Sequence, residues 1–527
     1  MANKSLFQSF AGRMLAPADT VNEAGGQAYR LDDKAALATF AATGCMNRTY
    51  YATAESQLAQ VLELTQKVEP EFIARTALYA RCEAHTKDLP ALLVAVLSVR
   101  SPGLMAEVFD RVIDSPKMLR NFVQIMRSGV VGRKSLGSLP KRMVRQWLDR
   151  LSDEQLFRAA VGNDPSLADV IKMVHPRPAT PQREALLGYL IGRKDIDREL
   201  LPDLVKQFEA YKAADDRTLL ETPDVPFPML TALDLQGWEW KAIARRASWQ
   251  QTRMNLNTFA RHGVLADRAL VRLLAQRLRD PQLIARSRVL PYQLLVAYLN
   301  AAGLPEINDA LQDALEISLQ HVPAIQGQVY VCLDVSGSMH SPVTGYRKGS
   351  SSSVRCIDVA ALVAAALVRK NPRTVVVPFE GQAIPPERVG LNPRDSVMTS
   401  AHRLSQLPGG ATNCAAALQL LNQRKAAGDL VVFVSDNQSW VNSPQYRGWG
   451  QSPTETMAQW AKFRKRSPEA TMVCIDLQPY MTTQVSERDD VINVAGFSDA
   501  VFKLLASVAC GEHRAGHWVR EIEKQTI

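Results

Sequence analysis

Apolar positions in the first part of the chain repeat with the period of an α-helix. Between residues 72 and 112 they recur three and four residues apart, as at Leu92, Leu93, Val96 and Leu97. Pro and Gly residues separate these stretches, and the pattern continues from about residue 30 to 320. Helices of about 10–16 residues joined by short turns are typical of a helical-repeat solenoid, here without a clear sequence repeat.

The pattern changes near residue 323, where apolar runs rich in β-branched residues begin to alternate with helical stretches. This alternation predicts a doubly wound parallel α/β sheet that is covered on both faces. The Ala, Gly and polar residues at the start of the chain predict a flexible arm. The predicted domains are therefore the arm over 1–25, a helical domain over 26–322 and an α/β domain over 323–527. The predicted strands lie at 327–336, 374–380, 429–436, 470–477 and 490–497, and the helices between and after them at 354–370, 398–407, 414–427, 454–466 and 499–509.

Oxygen-bearing side chains stand at the ends of two of these predicted strands. Asp334, Ser336 and Ser338 follow the first strand as a D-x-S-x-S motif, and Asp436 ends the strand at 429–436. Thr412 follows two glycines and precedes the helix at 414–427. Open α/β sheets place their sites at the carboxyl ends of their strands, so we expect these five residues to converge. Two carboxylates and three hydroxyls suit Mg²⁺ or Mn²⁺.

The same residues could instead be helix caps and loop hydroxyls. Their order on alternating strands and helices favours the metal site, and the arrangement resembles the metal-ion-dependent adhesion site of von Willebrand factor A domains. Sites of that family bind ligands and are not hydrolytic. With few carboxylate ligands, the ion would stay electrophilic and could accept an acidic group from a partner or keep a water.

The seven cysteines are scattered, with no CxxC pair, which predicts reduced thiols and a cytoplasmic protein. Cys510, His513 and His517 have a spacing that zinc could use, but a structural zinc site needs a fourth ligand, so a solvated turn is favoured over a zinc site. The longest apolar run, 359–368, is half of the roughly 20 residues that span a bilayer, so we expect no membrane segment.

Positive charge is concentrated in two windows. The chain carries 62 Lys and Arg against 53 Asp and Glu; residues 111–150 hold 10 against 2, and residues 241–290 hold 11 against 2. Solvated faces usually mix signs, so these windows favour a polyanion over a merely solvated surface. Arg dominates the second window, which favours bidentate phosphate contacts, whereas its interleaved tryptophans are interpreted as core. The candidate binding residues are Arg127, Arg133, Lys134, Lys141, Arg142 and Arg145 in the first window and Lys241, Arg245, Arg246 and Arg253 in the second.

Several short motifs resemble the TROVE domain of the Ro autoantigen family, and the following A domain matches the family's domain order. The whole architecture resembles a bacterial Ro protein. The motifs are Tyr29-Arg30-Leu31, Gly44 and Thr49-Tyr50-Tyr51-Ala52-Thr53, then Gly137 with Lys141-Arg142 and Trp147, then His175-Pro176-Arg177-Pro178, then Trp240-Lys241, Trp249 and Asn255-Leu256.

This resemblance implies a ring of HEAT-like helical repeats closed by the A domain. It implies that single-stranded ends of misfolded RNA bind in the hole, that small structured Y RNAs bind outside, and that Y RNA links the protein to polynucleotide phosphorylase. His175 and Arg158 match family positions in the Y RNA site. Gly162 and Ser138 stand where the family has basic residues, so the surface differs in detail.

We therefore expect a cytoplasmic, non-enzymatic RNA-binding ribonucleoprotein component that acts in RNA quality control and binds neither membrane nor DNA. The alternative is a scaffold that uses its metal to engage an acidic protein partner. A hydrolase is disfavoured because the sequence has no HExxH, GxSxG or P-loop motif.

Overall fold

The structure is a computed structural model, and its contacts group the chain into two compact units. The sheet unit comprises the chain up to Val68 with Arg279–Asn300 and Asn308–Lys524, and the helical unit comprises Glu69–Leu278, Ala301–Ile307 and Gln525–Ile527. This grouping differs from the predicted boundary near 322, because the first 68 residues pack with the sheet. The structure describes residues 15–287, 289, 291–301, 303–319, 322, 324–346, 354–441, 452–496, 499–509 and 516–527.

The helical unit confirms the predicted all-helical region. Neighbouring helices pack through apolar side chains, as where Phe109 meets Phe122 edge to face with ring centroids 5.2 Å apart. Hydroxyl side chains cap several helices, for example Ser115 and Ser152. The ring closure implied by the resemblance stays a prediction. The helices are α3 (Pro70–Cys82), α4 (Asp88–Arg100), α5 (Pro102–Val112), α6 (Pro116–Ser128), α7 (Ser138–Asp149), α8 (Asp153–Arg158), α9 (Leu167–Val174), α10 (Pro181–Leu190), α11 (Asp203–Ala213), α12 (Phe227–Thr231), α13 (Gly237–Arg246), α14 (Trp249–Met254), α15 (Leu256–Arg261) and α16 (Arg268–Leu278).

A five-stranded parallel sheet forms the centre of the sheet unit, as predicted. Its strands are buried on both faces, which explains their continuous apolar sequences. Side by side, its strands are β4 (Val375–Phe379), β3 (Val329–Asp334), β5 (Leu430–Ser435), β6 (Thr471–Asp476) and β8 (Val491–Ala495). The first strand of this sheet along the chain therefore lies between the second and the third. Open sheets with this order bind ligands at the carboxyl ends of the strands where the order reverses, here β3 and β5.

Helices surround this sheet. One side of the core includes a stacked pair, Trp460 and Phe463, with ring centroids 5.5 Å apart, and Tyr330 meets Phe463 edge to face. Among the described residues, no helix is long and apolar enough to cross a membrane. The unit's helices are α1 (Asp33–Thr43), α2 (Ala54–Lys67), α17 (Pro281–Ser287), α18 (Pro291–Asn300), α19 (Pro305–Ser318, which begins in the helical unit), α20 (Cys356–Lys370), α21 (Pro386–Val389), α22 (Val397–Ser405), α23 (Ala415–Gln423), α24 (Glu455–Arg464), α25 (Asp499–Ala509) and α26 (His517–Glu523).

The described part of the predicted flexible arm is ordered instead. Strand β1 (Thr20–Val21) pairs with β2 (Gln27–Arg30), and β2 pairs with β7 (Thr482–Thr483), both antiparallel. The buried Asn22 side chain donates to the Ser439 carbonyl at 2.8 Å and accepts from the Gly26 N–H at 2.7 Å. These strands are too short for a sequence pattern to reveal, and the arm is ordered by partners more than 400 residues away. Residues 1–14 of the predicted arm lie outside the described residues.

We expect Phe463→Ala to destabilise the sheet unit by about 3–5 kcal/mol, because it removes a fully buried ring and leaves a cavity. Urea unfolding followed by tryptophan fluorescence measures the change. Leu219→Ala, at a side chain that is 94% exposed, is the control and should stay within about 0.5 kcal/mol of the parent. Equal stability of the two variants would contradict the assigned core.

Candidate functional site

Two aspartates meet at the carboxyl edge of the sheet, on the neighbouring strands β3 and β5. Asp334 is the last residue of β3, and Asp436 directly follows β5. Both side chains are completely buried. The negative charge of Asp334 is close enough to raise the pKa of Asp436. The parallel sheet therefore concentrates two carboxylates at one point that water does not reach.

Asp334 is held in place by hydrogen bonds. One carboxylate oxygen accepts from the Ser336 N–H at 2.8 Å, and the other accepts from the Ser435 hydroxyl at 2.5 Å. Burial raises the pKa of Asp334, and these hydrogen bonds act in the opposite direction by stabilising the anion. The two hydrogen bonds therefore fix the position of the Asp334 carboxylate.

The three predicted hydroxyl ligands lie in loops that pack on one another. Ser336 and Ser338 are buried with their oxygens 3.3 Å apart. The Gly337 N–H donates to the Gly410 carbonyl at 2.9 Å, which joins this loop to the one that carries the buried Thr412. The Trp440 N–H, just beyond Asp436, donates to the Thr412 carbonyl at 3.1 Å. The structure thus brings the loops of all five predicted metal ligands together.

Asp436 differs from Asp334 in its surroundings. Within the described part of the chain, neither of its buried carboxylate oxygens has a hydrogen-bond partner. Burial, followed by the charge of Asp334, raises its pKa to about 7. A buried carboxylate without a partner costs free energy that a bound cation would offset. The residues present therefore fit a small divalent ion.

The donor set is also chemically consistent with such an ion. Carboxylate and hydroxyl oxygens are the ligands that Mg²⁺ and Mn²⁺ prefer, and no thiol or imidazole belongs to the predicted set. No group of three or more His, Cys, Asp or Glu suited to a metal occurs among the described residues. Of the possible zinc ligands, Cys510 and His513 lie outside those residues, and His517 opens α26. Metal binding by Asp334, Ser336, Ser338, Thr412 and Asp436 stays a prediction.

The first basic window lies around the end of α6 and the start of α7. Arg127, Lys134 and Arg142 are exposed, and Lys141 is partly exposed. Arg133 instead donates to the carbonyl of Ser98 at 3.2 Å, so one of its N–H groups is used in a hydrogen bond within the protein. The exposed members are available to a polyanion.

Arg145 connects this window to the predicted histidine. Its guanidinium donates to the carbonyl of Val174, the last residue of α9. The next residue, His175, ends that helix in a left-handed conformation with φ of 49°, and its side chain is exposed. The sequence assigns Arg145 to RNA contact, whereas in the structure it joins α7 to the His175 turn.

Most candidates of the second window already have protein partners. The Nζ of Lys241 lies 3.6 Å from a carboxylate oxygen of Asp267. The Arg246 guanidinium donates to the Thr222 carbonyl, and the Arg253 guanidinium donates to the side-chain oxygen of Gln250 at 3.0 Å. Arg245 is exposed at the end of α13. Arg158, from the implied Y RNA site, pairs with Asp224 at 2.9 Å.

The three tryptophans at the start of this window and just before it divide between the core and the surface. Trp249 is buried and donates from its indole nitrogen to the Leu278 carbonyl at 3.0 Å, and Trp240 is buried against His262 with stacked rings. The burial of both side chains agrees with their interpretation as core residues. Trp238 differs, with 37% of its surface exposed.

Comparison with known proteins agrees with this architecture. Residues 328–509 match the model of the Ro60 vWA domain. The chain is 25% identical over 525 residues to the RNA-binding protein RO60 of Deinococcus radiodurans, covering 93% of this chain and 95% of that protein. The chain is thus similar to RO60 over nearly its whole length.

A solved structure shows the same fold along the chain. The crystal structure of the Deinococcus radiodurans RO (RSR) protein superposes with a TM-score of 0.61 at 19% identity and covers 92% of this chain and 100% of that one. The predicted resemblance to the Ro family is therefore confirmed, together with the fold class of a helical region followed by an A domain.

Sequence reasoning missed three residues of this Ro60-type site. Ser435 binds Asp334, and its only signal is its place directly before Asp436. Tyr51 is partly buried, and this burial together with the charge of Asp436 raises its pKa to about 12. Tyr480 is buried, and the same charge raises its pKa. Tyr51 belongs to the Thr-Tyr-Tyr-Ala-Thr motif, but nothing in the sequence connects that motif to the D-x-S-x-S loop.

We expect Asp436→Asn to abolish stabilisation by Mn²⁺, because the variant lacks the unpartnered carboxylate. At about 100 times Kd, the ion should stabilise the parent by roughly 2.7 kcal/mol, and this shift is read in thermal unfolding with Mn²⁺ or EDTA. Asp429→Asn removes the same charge at the exposed, opposite end of β5 and should keep the shift. An unchanged Mn²⁺ shift in Asp436→Asn would refute the assignment.

Proposed function

We propose that this Ro60 homologue is a non-enzymatic RNA-binding protein that acts in the cytoplasm. Its relative from Deinococcus radiodurans is named an RNA-binding protein, which supports the class of ligand. The large excess of positive over negative charge in the two basic windows supports a polyanionic ligand independently of that name.

The observation that carries the proposal is the bond from Arg145 to the carbonyl of Val174. It joins α7, whose first turns carry Lys141 and Arg142, to the turn that exposes His175. Helix α9 also packs against α6, whose last turn carries Arg127. Three helices thus contribute cationic or titratable side chains to one neighbourhood, and phosphates would bind there by displacing counterions.

Two kinds of RNA fit this proposal. Small structured Y RNAs would bind around His175, whose exposed imidazole can donate to phosphates or stack on bases. Single-stranded ends of misfolded RNA would bind the exposed Arg and Lys side chains with little sequence preference. A Y RNA held in this way could tether polynucleotide phosphorylase, so that the protein presents defective RNAs for degradation.

A divalent cation, Mg²⁺ or Mn²⁺, is the proposed cofactor of the A domain. Asp334, Ser336, Ser338, Thr412 and Asp436 would hold it, and it would supply the charge that neutralises the buried carboxylates. The unpartnered oxygens of Asp436 support this assignment. RNA binding by the helical unit does not require it.

RNA affinity should fall by roughly a decade or more between 50 and 200 mM salt, because several phosphate contacts release counterions. A hairpin RNA with an unpaired 3′ tail should bind more tightly than the same hairpin without it. Fluorescence anisotropy titrations of both RNAs across this salt range measure the two effects. Equal affinity for both hairpins without a salt slope would contradict the proposed mode of binding.

The double change Lys141→Gln and Arg142→Gln should weaken binding of the tailed RNA and reduce the slope of log affinity against log salt by about 1.4, since two phosphate contacts are lost. Lys194→Gln with Lys212→Gln is the matched control. It removes equal charge from exposed positions of the same unit outside the basic windows. If both double variants lost the same affinity, net charge rather than this surface would be responsible.

A further inference from the structure

An exposed histidine of the helical unit lies flat on a buried tryptophan. The rings of His262 and Trp240 are stacked, with centroids 4.1 Å apart and an angle of 12° between the ring planes. Trp240 is 6% exposed, whereas His262 is exposed, and both belong to the helical unit. The indole therefore covers one face of the imidazole, and the accessible part of the histidine faces away from it.

The backbone on both sides of this histidine is held by the fold. His262 directly follows α15, and its N–H donates to the Thr258 carbonyl at 3.1 Å. Gly263 then turns the chain with a φ of 71°, in the left-handed region that favours glycine. Phe259 and Val264, on either side of the histidine along the chain, are completely buried. Buried neighbours therefore hold the imidazole in place at the surface.

The tryptophan below the imidazole is positioned by its ring contacts. Its indole N–H is buried and has no hydrogen-bond partner in the part of the chain that the structure describes. The indole N–H of Trp249, by contrast, donates to the Leu278 carbonyl at 3.0 Å. The Trp240 ring meets Phe227 edge to face, with centroids 6.0 Å apart, and stacks on His262. Trp240 thus serves as an apolar support for the imidazole.

Positive side chains stand next to each partner of the stack. Arg261 directly precedes His262 and is exposed. Lys241 follows the tryptophan in α13, and its Nζ lies 3.6 Å from a carboxylate oxygen of Asp267. Arg268, next to Asp267 in the chain, is also exposed. These neighbours comprise three positive charges and one negative charge, and this excess favours a phosphate beside the exposed ring.

We infer that His262 is a base-stacking residue for the single-stranded tail of a bound RNA, with Trp240 as its support. The inference rests on the proposed RNA-binding function and deepens it, because it assigns a place to a base as well as to phosphates. Every nucleobase has a π-face, so an exposed planar ring accepts a base with little regard to sequence. Unpaired RNA offers its bases for stacking on aromatic side chains, including histidine, whereas a duplex does not. The stack therefore favours RNAs with an unpaired end.

Two substitutions at one position test the inference on the full chain. His262→Leu keeps Trp240 covered but has no aromatic face. His262→Phe is the matched control, since it keeps a ring but has no N–H group and cannot carry charge. Fluorescence anisotropy with a hairpin RNA that has an unpaired 3′ tail measures the affinity. It should fall about five- to tenfold in His262→Leu, at the lower end for one base–aromatic contact because imidazole is a small ring, and stay within about twofold of the parent in His262→Phe.

A second RNA, whose tail has the same length but consists of abasic nucleotides, keeps the phosphates and lacks the bases. The parent should bind this abasic tail more weakly than the natural tail. In His262→Leu the ratio of the two affinities should be smaller by about five- to tenfold, because the ring and its base form one contact. Each ratio compares two RNAs on one protein, so a change in stability alone cannot produce this result. Equal ratios in the parent and in His262→Leu would overturn the inference.

The outcomes distinguish this inference from the proposal on which it rests. If the parent bound the tailed hairpin no more tightly than the hairpin without a tail, the proposed binding of single-stranded ends would be wrong. If the parent preferred the tailed hairpin and His262→Leu bound it equally well, the role of His262 alone would be wrong. If His262→Phe lost as much affinity as His262→Leu, an N–H group or the charge of the imidazole would be responsible instead of a stack, and the inference would also be overturned.

Discussion

The structure of the sheet unit depends on one electrostatic constraint, the burial of Asp334 and Asp436 side by side. Two carboxylates without water cannot both carry charge unless something compensates them. The protein compensates them unequally: Ser336 and Ser435 satisfy Asp334, whereas Asp436 is left without partners. The loops around the pair also bring in the buried hydroxyls of Ser336 and Ser338, 3.3 Å apart. Each of these features makes sense when the two charges are considered together with a cation.

Much of the sheet could be predicted from sequence because its strands are apolar on both faces and alternate with helices. The five observed strands lie within the predicted runs, and the helices Cys356–Lys370 and Asp499–Ala509 agree closely with those predicted. The convergence of the Asp334 and Asp436 loops also followed from their positions at the carboxyl ends of two predicted parallel strands. The small sheet of β1, β2 and β7 could not be predicted, because its strands have two to four residues and their pairing joins distant parts of the chain.

The limits of charge patterns are clearest among the arginines. Counting residues located the basic windows but could not separate arginines that face solvent from those that stabilise the fold. Arg277 donates to the carbonyls of Ala244 and Arg245 near the end of α13, and Arg145 likewise binds a carbonyl at the end of α9. The last carbonyls of a helix have no partner within it, and a guanidinium can satisfy them. Only three-dimensional contacts reveal which arginines bind carbonyls at the ends of helices.

The sheet unit is assembled from distant parts of the chain, and this has a consequence for biosynthesis. Strand β2 leaves the ribosome early, but its partner Thr482 is translated about 450 residues later. At about 5–20 residues per second, the interval is roughly 20–90 s. Throughout this time one edge of β2 has no native partner, while the helices of Glu69–Leu278 can already fold. The nascent chain therefore exposes an unpaired strand edge for most of its synthesis, at the stage when chaperones would have to protect it from aggregation.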